Sequence, residues 1–91
     1  MSQETYVYGL LDPRTERVFY IGITKWNLPA RLAGHRSDPA SAAWQRIREI
    51  EADDFRCEIE AILDCPTREI ARSWERRLIR EFPGLINRDR R

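Results

Sequence analysis

The sequence predicts an α+β domain, because stretches with the alternation typical of strands are interspersed with stretches whose apolar residues have helical spacing. Three stretches have the strand pattern and three have the helix pattern. All of them lie within 91 residues, so we expect a single domain over residues 1–91. Hydrophobic residues make up 42% of the chain, which is enough for one core.

The first two strand patterns predict a β-hairpin. Residues 5–11 and 18–24 are rich in aromatic and β-branched residues, and Asp12-Pro13-Arg14-Thr15 between them is a turn sequence. Since alternate residues of a strand share a face, we expect Tyr8 and Tyr20 on the same side of the hairpin. This side of the hairpin is predicted to hold Tyr6, Tyr8 and Leu10 from the first strand and Val18, Tyr20 and Gly22 from the second.

Two helices are expected next. Asn27 as a cap and Pro29 in the first turn predict a helix that ends near Gly34. Asp38-Pro39 repeats the cap-and-proline pattern and predicts a second helix that runs to about Glu51.

Residues 55–63 predict a third strand, since apolar and polar residues alternate there and the polar set is mostly acidic. Thr67 then predicts the cap of a last helix, with Glu69 suited to the dipole in its first turn. Pro83-Gly84 should end this helix. Its buried stripe is predicted to be Ala71, Trp74, Leu78 and Phe82.

Charge is distributed unevenly although the net charge is only +1. Residues 49–64 are acidic, whereas residues 65–91 carry eight arginines and four acids. Fifteen of the sixteen basic residues are arginine, whose planar guanidinium matches phosphate oxygens in two-point contact. The excess is compatible with phosphate binding, and a compositional bias of the genome explains it equally well.

The two cysteines predict no disulfide or zinc site. Cys57 and Cys65 have no further Cys or His at zinc spacing, and they read as small core residues in a reducing compartment. The sequence has no apolar run of membrane-spanning length, and Met1-Ser2-Gln3-Glu4 lacks a signal-peptide pattern. These features predict a cytoplasmic protein without a membrane partner.

Several polar residues are candidates for chemistry. Glu75 lies at the edge of the apolar stripe of the last helix, where a carboxylate needs a partner. That partner is either an arginine, Arg72 or Arg31, or a divalent metal such as magnesium, which one carboxylate and several waters can hold. Solvent exposure is the third possibility.

Arg31 and His35 are four residues apart and share one face if their helix persists through Gly34. His35 is the chain's one histidine, and a lone histidine is more often a loop residue than a catalytic one. Tyr8 and Tyr20 are, each by itself, ordinary strand aromatics. A tyrosine base needs its pKa lowered from about 10 by a nearby cation or metal.

In order and spacing these residues resemble the GIY-YIG nuclease family over nearly the whole chain. Tyr6-Val7-Tyr8 stands in for the first motif, with Tyr6 in place of the family's glycine, and Tyr20-Ile21-Gly22 matches the second. The resemblance implies a three-stranded antiparallel sheet flanked by helices. It also implies a metal-dependent endonuclease that hydrolyses DNA with one divalent metal, magnesium or manganese. The matched catalytic residues are Tyr8, Tyr20, Arg31, His35, Glu75 and Asn87.

The resemblance implies a role for each matched residue. Glu75 is expected to hold the metal, Arg31 to neutralise the scissile phosphate, and His35 to contact the phosphate or the leaving oxygen. Tyr8 is the first choice as general base. Tyr20 would bond to it or to the attacking water, and the Asn87 amide would cap a turn or tie Glu75 or the tyrosine hydroxyls in place.

One position departs from the family pattern. Many members carry a lysine directly after the second motif, where this chain has Ile23, and the nearest lysine is Lys25. The identity of the group that activates water therefore stays open. The DNA-binding residues are expected to be Lys25, Arg31, Arg72 and Arg76.

Two alternatives remain at this point. The chain could be a binding module that keeps phosphate affinity without cleavage. It could also bind a protein partner through Trp26 and the acidic strand, which an apolar patch around an exposed Trp26 would favour. If the chain is a nuclease, the sequence shows no second domain that would choose the DNA, so either a protein partner supplies the specificity or cleavage is structure-directed or weak.

Overall fold

The structure is a computed structural model that describes residues 4–87. The three strands form one antiparallel sheet with the order β2-β1-β3. Together with three helices this confirms the expected α+β fold. The elements in chain order are β1 (Thr5–Asp12), β2 (Arg17–Thr24), α1 (Leu28–Ser37), α2 (Trp44–Ala52), β3 (Glu58–Cys65) and α3 (Arg68–Glu81).

Helices cover both faces of the sheet, and each face has its own apolar cluster. On one face Tyr8 and Leu10 pack with Ile47 and Ile50 of α2, and side chains of α1 border this cluster. On the other face Val7, Ile21 and Ala71 pack together, with further side chains of α3 around them. The sheet therefore buries alternate residues of β1 on opposite faces.

The hairpin places the two tyrosines as expected but not Val18. Tyr8 pairs with Gly22 and Leu10 with Tyr20, so both tyrosines lie on the face toward α1 and α2. The register then shifts, because Leu11 pairs with Val18 and Phe19 is an extra residue. This bulge turns Val18 to the α3 face, and its predicted place beside Tyr20 was wrong.

Strand β3 begins and ends later than the alternation predicted. Phe55 precedes it and is 47% exposed. A second register shift, between Val7 and Tyr8, breaks the alternation, because Val7 pairs with Leu63 while Tyr8 pairs with Ala61. Strict alternation would place Ile62 on the polar face with Glu58 and Glu60, but after this shift Ile62 packs against the apolar cluster on the α3 side.

The two central helices have different ends from those predicted. Asn27 caps α1 as expected, but the helix continues through Gly34 to Ser37, and the buried His35 anchors its last turn. Residues 38–43 are not helical: Asp38 accepts hydrogen bonds from the backbone of Ala40 and Ser41 and forms a separate turn. Helix α2 therefore starts at Trp44.

Helix α3 has the expected cap and a narrower buried stripe. The Thr67 hydroxyl accepts a hydrogen bond from the Ile70 amide. Ala71 is fully buried, but Trp74 is 39% exposed and has the Arg77 guanidinium 5.3 Å from its ring centre. The placement of Trp74 in the core was wrong, and Ile79 packs against the apolar cluster instead.

The chain after α3 returns along the edge of the sheet. The amide of Ile86 donates to the carbonyl of Phe19, so this tail covers part of the open edge of β2. Over residues 4–87 the helices are too short and too polar to span a bilayer.

Candidate active site

Four of the predicted site residues meet on the α1 side of the sheet. Strands β1 and β2 supply Tyr8 and Tyr20, and one face of α1 supplies Arg31 and His35. Because α1 continues through Gly34, residues 31 and 35 lie one turn apart on the same face. The Tyr8 and Tyr20 rings are stacked at 6.3 Å, and the Tyr20 and His35 rings meet edge-on at 5.0 Å.

Gly22 makes the room for the Tyr8 ring. A Cβ atom at this position would lie 2.6 Å from the Tyr8 hydroxyl and 2.8 Å from the ring carbon that bears it. The absence of a side chain at this glycine leaves space for a neighbouring group. In the structure the phenol of the paired strand occupies it, so Gly22 sets the position of the Tyr8 hydroxyl.

The Tyr8 hydroxyl joins the two side chains of α1. It accepts a hydrogen bond from Arg31 Nε at 3.1 Å and lies 2.7 Å from His35 Nε2. Burial raises the pKa of Tyr8 to about 12, and the Arg31 hydrogen bond, which lowers it, does not offset this. Since Tyr8 is also fully buried, its phenol is protonated near pH 7 and has no direct contact with solvent. A buried, protonated phenol is poorly suited to act as the expected general base. Its hydrogen bonds instead suit a role in positioning Arg31 and His35.

His35 is a buried part of this network, and not a loop residue at a helix end. Its Nδ1 atom lies 2.5 Å from the Ser41 hydroxyl, so both ring nitrogens are engaged. Burial, together with the Arg31 charge, lowers the pKa of His35 to about 4, although the Asp38 charge acts in the opposite direction. The ring is therefore neutral near pH 7, and its task is to hold Tyr8.

Ser41 belongs to the site and was not predicted. It bonds to His35 and also accepts a hydrogen bond from the Ala43 amide just before α2. The sequence pattern assigned this position to a helix, where its hydroxyl would have no such task. The Asp38-Pro39 turn is the signal that could have shown it, because a turn there places Ser41 beside the end of α1.

An open cleft lies against this network, and we call it the Tyr20 cleft. Its volume is about 410 Å³, within the usual range of ligand sites. Of the Arg31 side chain only Nε is hydrogen-bonded within residues 4–87, which leaves the two terminal amino groups for a ligand. The residues that line it include Tyr20, Arg31, His35, Asp38 and Ser41.

Glu75 lies near the same network but comes from the other side of the sheet. It is half-buried on α3, and its negative charge contributes to the raised pKa of Tyr8, so the two side chains are close enough to interact. A carboxylate near Tyr8 is an oxygen donor of the kind that one magnesium ion needs when phosphate and water complete its shell. Within residues 4–87 no group of three or more Asp, Glu, His or Cys side chains is arranged to hold a metal without such help.

Asn87 lies outside the Tyr8 network. Its Nδ2 donates to the backbone carbonyl of Ile21 at 2.7 Å, while its Oδ1 has no hydrogen-bond partner within the described residues. The expectation that its amide ties Glu75 or the tyrosine hydroxyls is not met. The residue instead anchors the tail to β2, between Tyr20 and Gly22.

The predicted DNA-binding residues separate into two groups. Lys25 and Arg31 line a second pocket together with Arg68, which the sequence reasoning missed. Arg72 and Arg76 lie exposed further along α3. Arg68 could have been noticed because a cation in the first turn of a helix opposes the helix dipole.

Comparison with known proteins adds no relative: no protein-family model matches this chain, and neither a curated protein nor a solved structure matches it.

Proposed function

We propose that this chain is a metal-dependent endonuclease that hydrolyses DNA phosphodiester bonds, as its resemblance to the GIY-YIG family implies. The observation that supports this most is the Tyr8 hydroxyl, bonded to Arg31 and His35 at once. A buried phenol that fixes one arginine at the rim of a cleft has a clear use if that arginine binds a phosphate. A buried phenol needs one hydrogen-bond partner, so packing alone does not account for the second bond, to Arg31.

Arg31 provides the electrostatic part of the reaction. Its Nε is held by Tyr8, and its terminal amino groups are left to contact two oxygens of the scissile phosphate. Because the guanidinium is fixed beforehand, little reorganisation is needed as negative charge develops on these oxygens.

Tyr20 is the phenol that lines the cleft, so it takes the position next to the attacking water that was expected of Tyr8. Tyr8 and His35 act through Arg31 and through the Tyr20 ring, which they contact. Glu75 is the residue that would hold the metal. A divalent metal bound there would supply positive charge to the phosphate and lower the pKa of water.

The test is cleavage of plasmid and branched DNA by the full chain, with magnesium or manganese and with EDTA. We expect Glu75→Ala to abolish metal-dependent cleavage while circular dichroism shows an intact fold. Glu81→Ala is the matched control, because Glu81 lies on the same helix in an exposed ion pair with Arg77, which contributes little to stability.

Two results would refute parts of this proposal. Undiminished cleavage by folded Glu75→Ala would remove Glu75 from the mechanism. A folded parent chain that binds DNA but cleaves none of these substrates with either metal would instead support the binding module on the same fold.

A further inference from the structure

A second pocket adjoins the Tyr20 cleft, and Arg31 lines both. This Trp26 pocket lies between the loop that joins β2 to α1 and the first turn of α3. Its volume is about 360 Å³. The lining residues are Ile23, Thr24, Lys25, Trp26, Arg31 and Arg68.

Trp26 presents an exposed ring on a fixed backbone. The residue is 72% exposed, more than any other large hydrophobic residue among those described. Its amide donates to the buried Thr24 hydroxyl at 3.0 Å, and the next residue, Asn27, caps α1. The ring is thus held out to solvent by a loop that is anchored on both sides, which reduces the entropy lost when a ligand stacks on it.

The pocket is cationic. Lys25, Arg31 and Arg68 line it, whereas no carboxylate does, and within residues 4–87 none of the three forms an ion pair. Arg68 is the first residue of α3, where the helix dipole disfavours positive charge. Helix stability gives no reason for this cation, but an anionic ligand does.

This composition fits a nucleotide better than a protein surface. Among the described residues Ile23 is the one aliphatic side chain that lines the pocket, so within this part of the chain the exposed tryptophan is not the centre of an apolar patch. Exposed aromatic rings beside cations are the usual means of binding unpaired nucleic acid: the base stacks on the ring, and the cations contact the backbone. Duplex bases are stacked on each other and do not offer a free face.

We propose that the Trp26 pocket binds an unpaired nucleotide next to the phosphate held by Arg31, so that the substrate class is DNA with a single-stranded segment. This inference rests on the proposed nuclease function and assigns its substrate. Trp26 is the stacking platform. Lys25 and Arg68 bind the phosphates that flank the unpaired base.

The test measures binding in EDTA, where cleavage does not interfere, by fluorescence anisotropy of labelled DNA. One probe is a fully paired duplex, and the other is the same duplex with a short unpaired extension. We expect the parent chain to prefer the second probe. Trp26→Ala should weaken binding to it by about 5- to 150-fold, whereas Trp26→Phe should retain most of the affinity because it keeps an aromatic face.

Two further variants separate stacking from charge and from general loss of aromatic surface. Phe55→Ala is the matched control, since Phe55 is 47% exposed but lies in the loop before β3 and should not affect either probe. Arg68→Gln should reduce the slope of log affinity against log salt by about 0.7–0.9 for one lost phosphate contact. Trp26→Ala should leave that slope unchanged.

The outcomes distinguish this inference from the function on which it rests. If the parent cleaves DNA but binds both probes equally, or if Trp26→Ala binds the unpaired probe as the parent does, the inference is wrong and the nuclease proposal stands. If the parent binds neither probe, the inference is overturned, and if it also cleaves no DNA, the nuclease proposal is overturned with it. Preference for the unpaired probe without metal-dependent cleavage would retain the Trp26 site on a non-catalytic module.

Discussion

The Tyr20 cleft and the Trp26 pocket share Arg31 but are constructed in different ways. Behind the cleft, Tyr8 and His35 are buried and bonded to each other. In the pocket, Trp26 is mostly exposed, and none of the pocket's cations forms an ion pair within the described residues. The side chains behind the Tyr20 cleft are therefore fixed before a ligand binds, whereas the cations of the Trp26 pocket are available to bind one.

The difference predicts different responses to substitution. Polar groups buried in the Tyr8 network would lose their partners, so changes there should reduce both the free energy of unfolding and the reaction rate. Changes in Lys25, Trp26 or Arg68 should alter affinity and leave stability nearly unchanged, because these three side chains already face water. A change in Trp26 that unfolds the protein, or a change in Tyr8 that does not affect stability, would break the comparison.

Gly22→Ala should have the largest effect on stability. The added methyl would lie 2.6 Å from the Tyr8 hydroxyl, and overpacking of this kind typically lowers the free energy of unfolding by about 1–3 kcal/mol. The Tyr8 ring would move and release Arg31, so the cleavage rate should fall as well. Urea unfolding and single-turnover rates measure the two effects.

Gly34→Ala is the matched control for stability. Gly34 lies inside α1, and nothing is within 4 Å of where its methyl would be. Alanine has the higher helix propensity, so we expect the free energy of unfolding to rise by about 0.5–1 kcal/mol. Equal effects of the two glycine substitutions would contradict the role of Gly22.

The pH dependence of stability should reveal the neutral His35 ring. In the unfolded chain this histidine titrates near pH 6.5, whereas burial lowers its pKa in the fold to about 4. Between these values the unfolded state binds a proton that the folded state does not. The free energy of unfolding should therefore fall as the pH is lowered from 6.5 to 4, by about 1–3 kcal/mol depending on solvent screening.

Urea unfolding at several pH values measures this, with His35→Gln for comparison. The variant lacks the titrating ring, so its stability should change less across the same window, while the carboxylates contribute equally to both proteins. Parallel curves for parent and variant would show that His35 is not buried as a neutral ring.

The sequence predicted the parts of the site that depend on local patterns. Alternation placed Tyr8 and Tyr20 on one face, and the Thr67 cap defined the start of α3. The two β-bulges were not predictable in this way, because each depends on packing between strands and moves Val18 or Ile62 to the other face. Alternation by itself contains no information about an extra residue.

The Tyr8 network and the Trp26 pocket could be identified only from the three-dimensional fold. Ser41 is six residues from His35, but only the turn after α1 brings the two side chains together. Arg68 is distant in sequence from Lys25 and Trp26, and the packing of α3 against the sheet brings it close to them. The protonation state of Tyr8 also could not be predicted from its residue type. A nearby arginine was expected to lower its pKa, but the greater effect of burial raises it.

The most direct test of the account combines Tyr8→Phe with Arg31→Gln in one set of single-turnover cleavage rates with magnesium. We expect the parent to cleave, and Arg31→Gln to lose about 10²–10³ in rate, as for a donor that stabilises the transition state. Tyr8→Phe keeps the ring and loses the hydroxyl that holds Arg31, so it should also be slow. Tyr6→Phe, at a position outside the network, should react like the parent.

The double variant decides how Tyr8 acts. If its task is to position Arg31, the double variant should be no slower than Arg31→Gln alone, because the two side chains work as one unit. Rate losses that multiply would show that Tyr8 contributes to the reaction independently. No cleavage by the folded parent, or full activity of Arg31→Gln, would contradict the central claim that this cleft hydrolyses DNA.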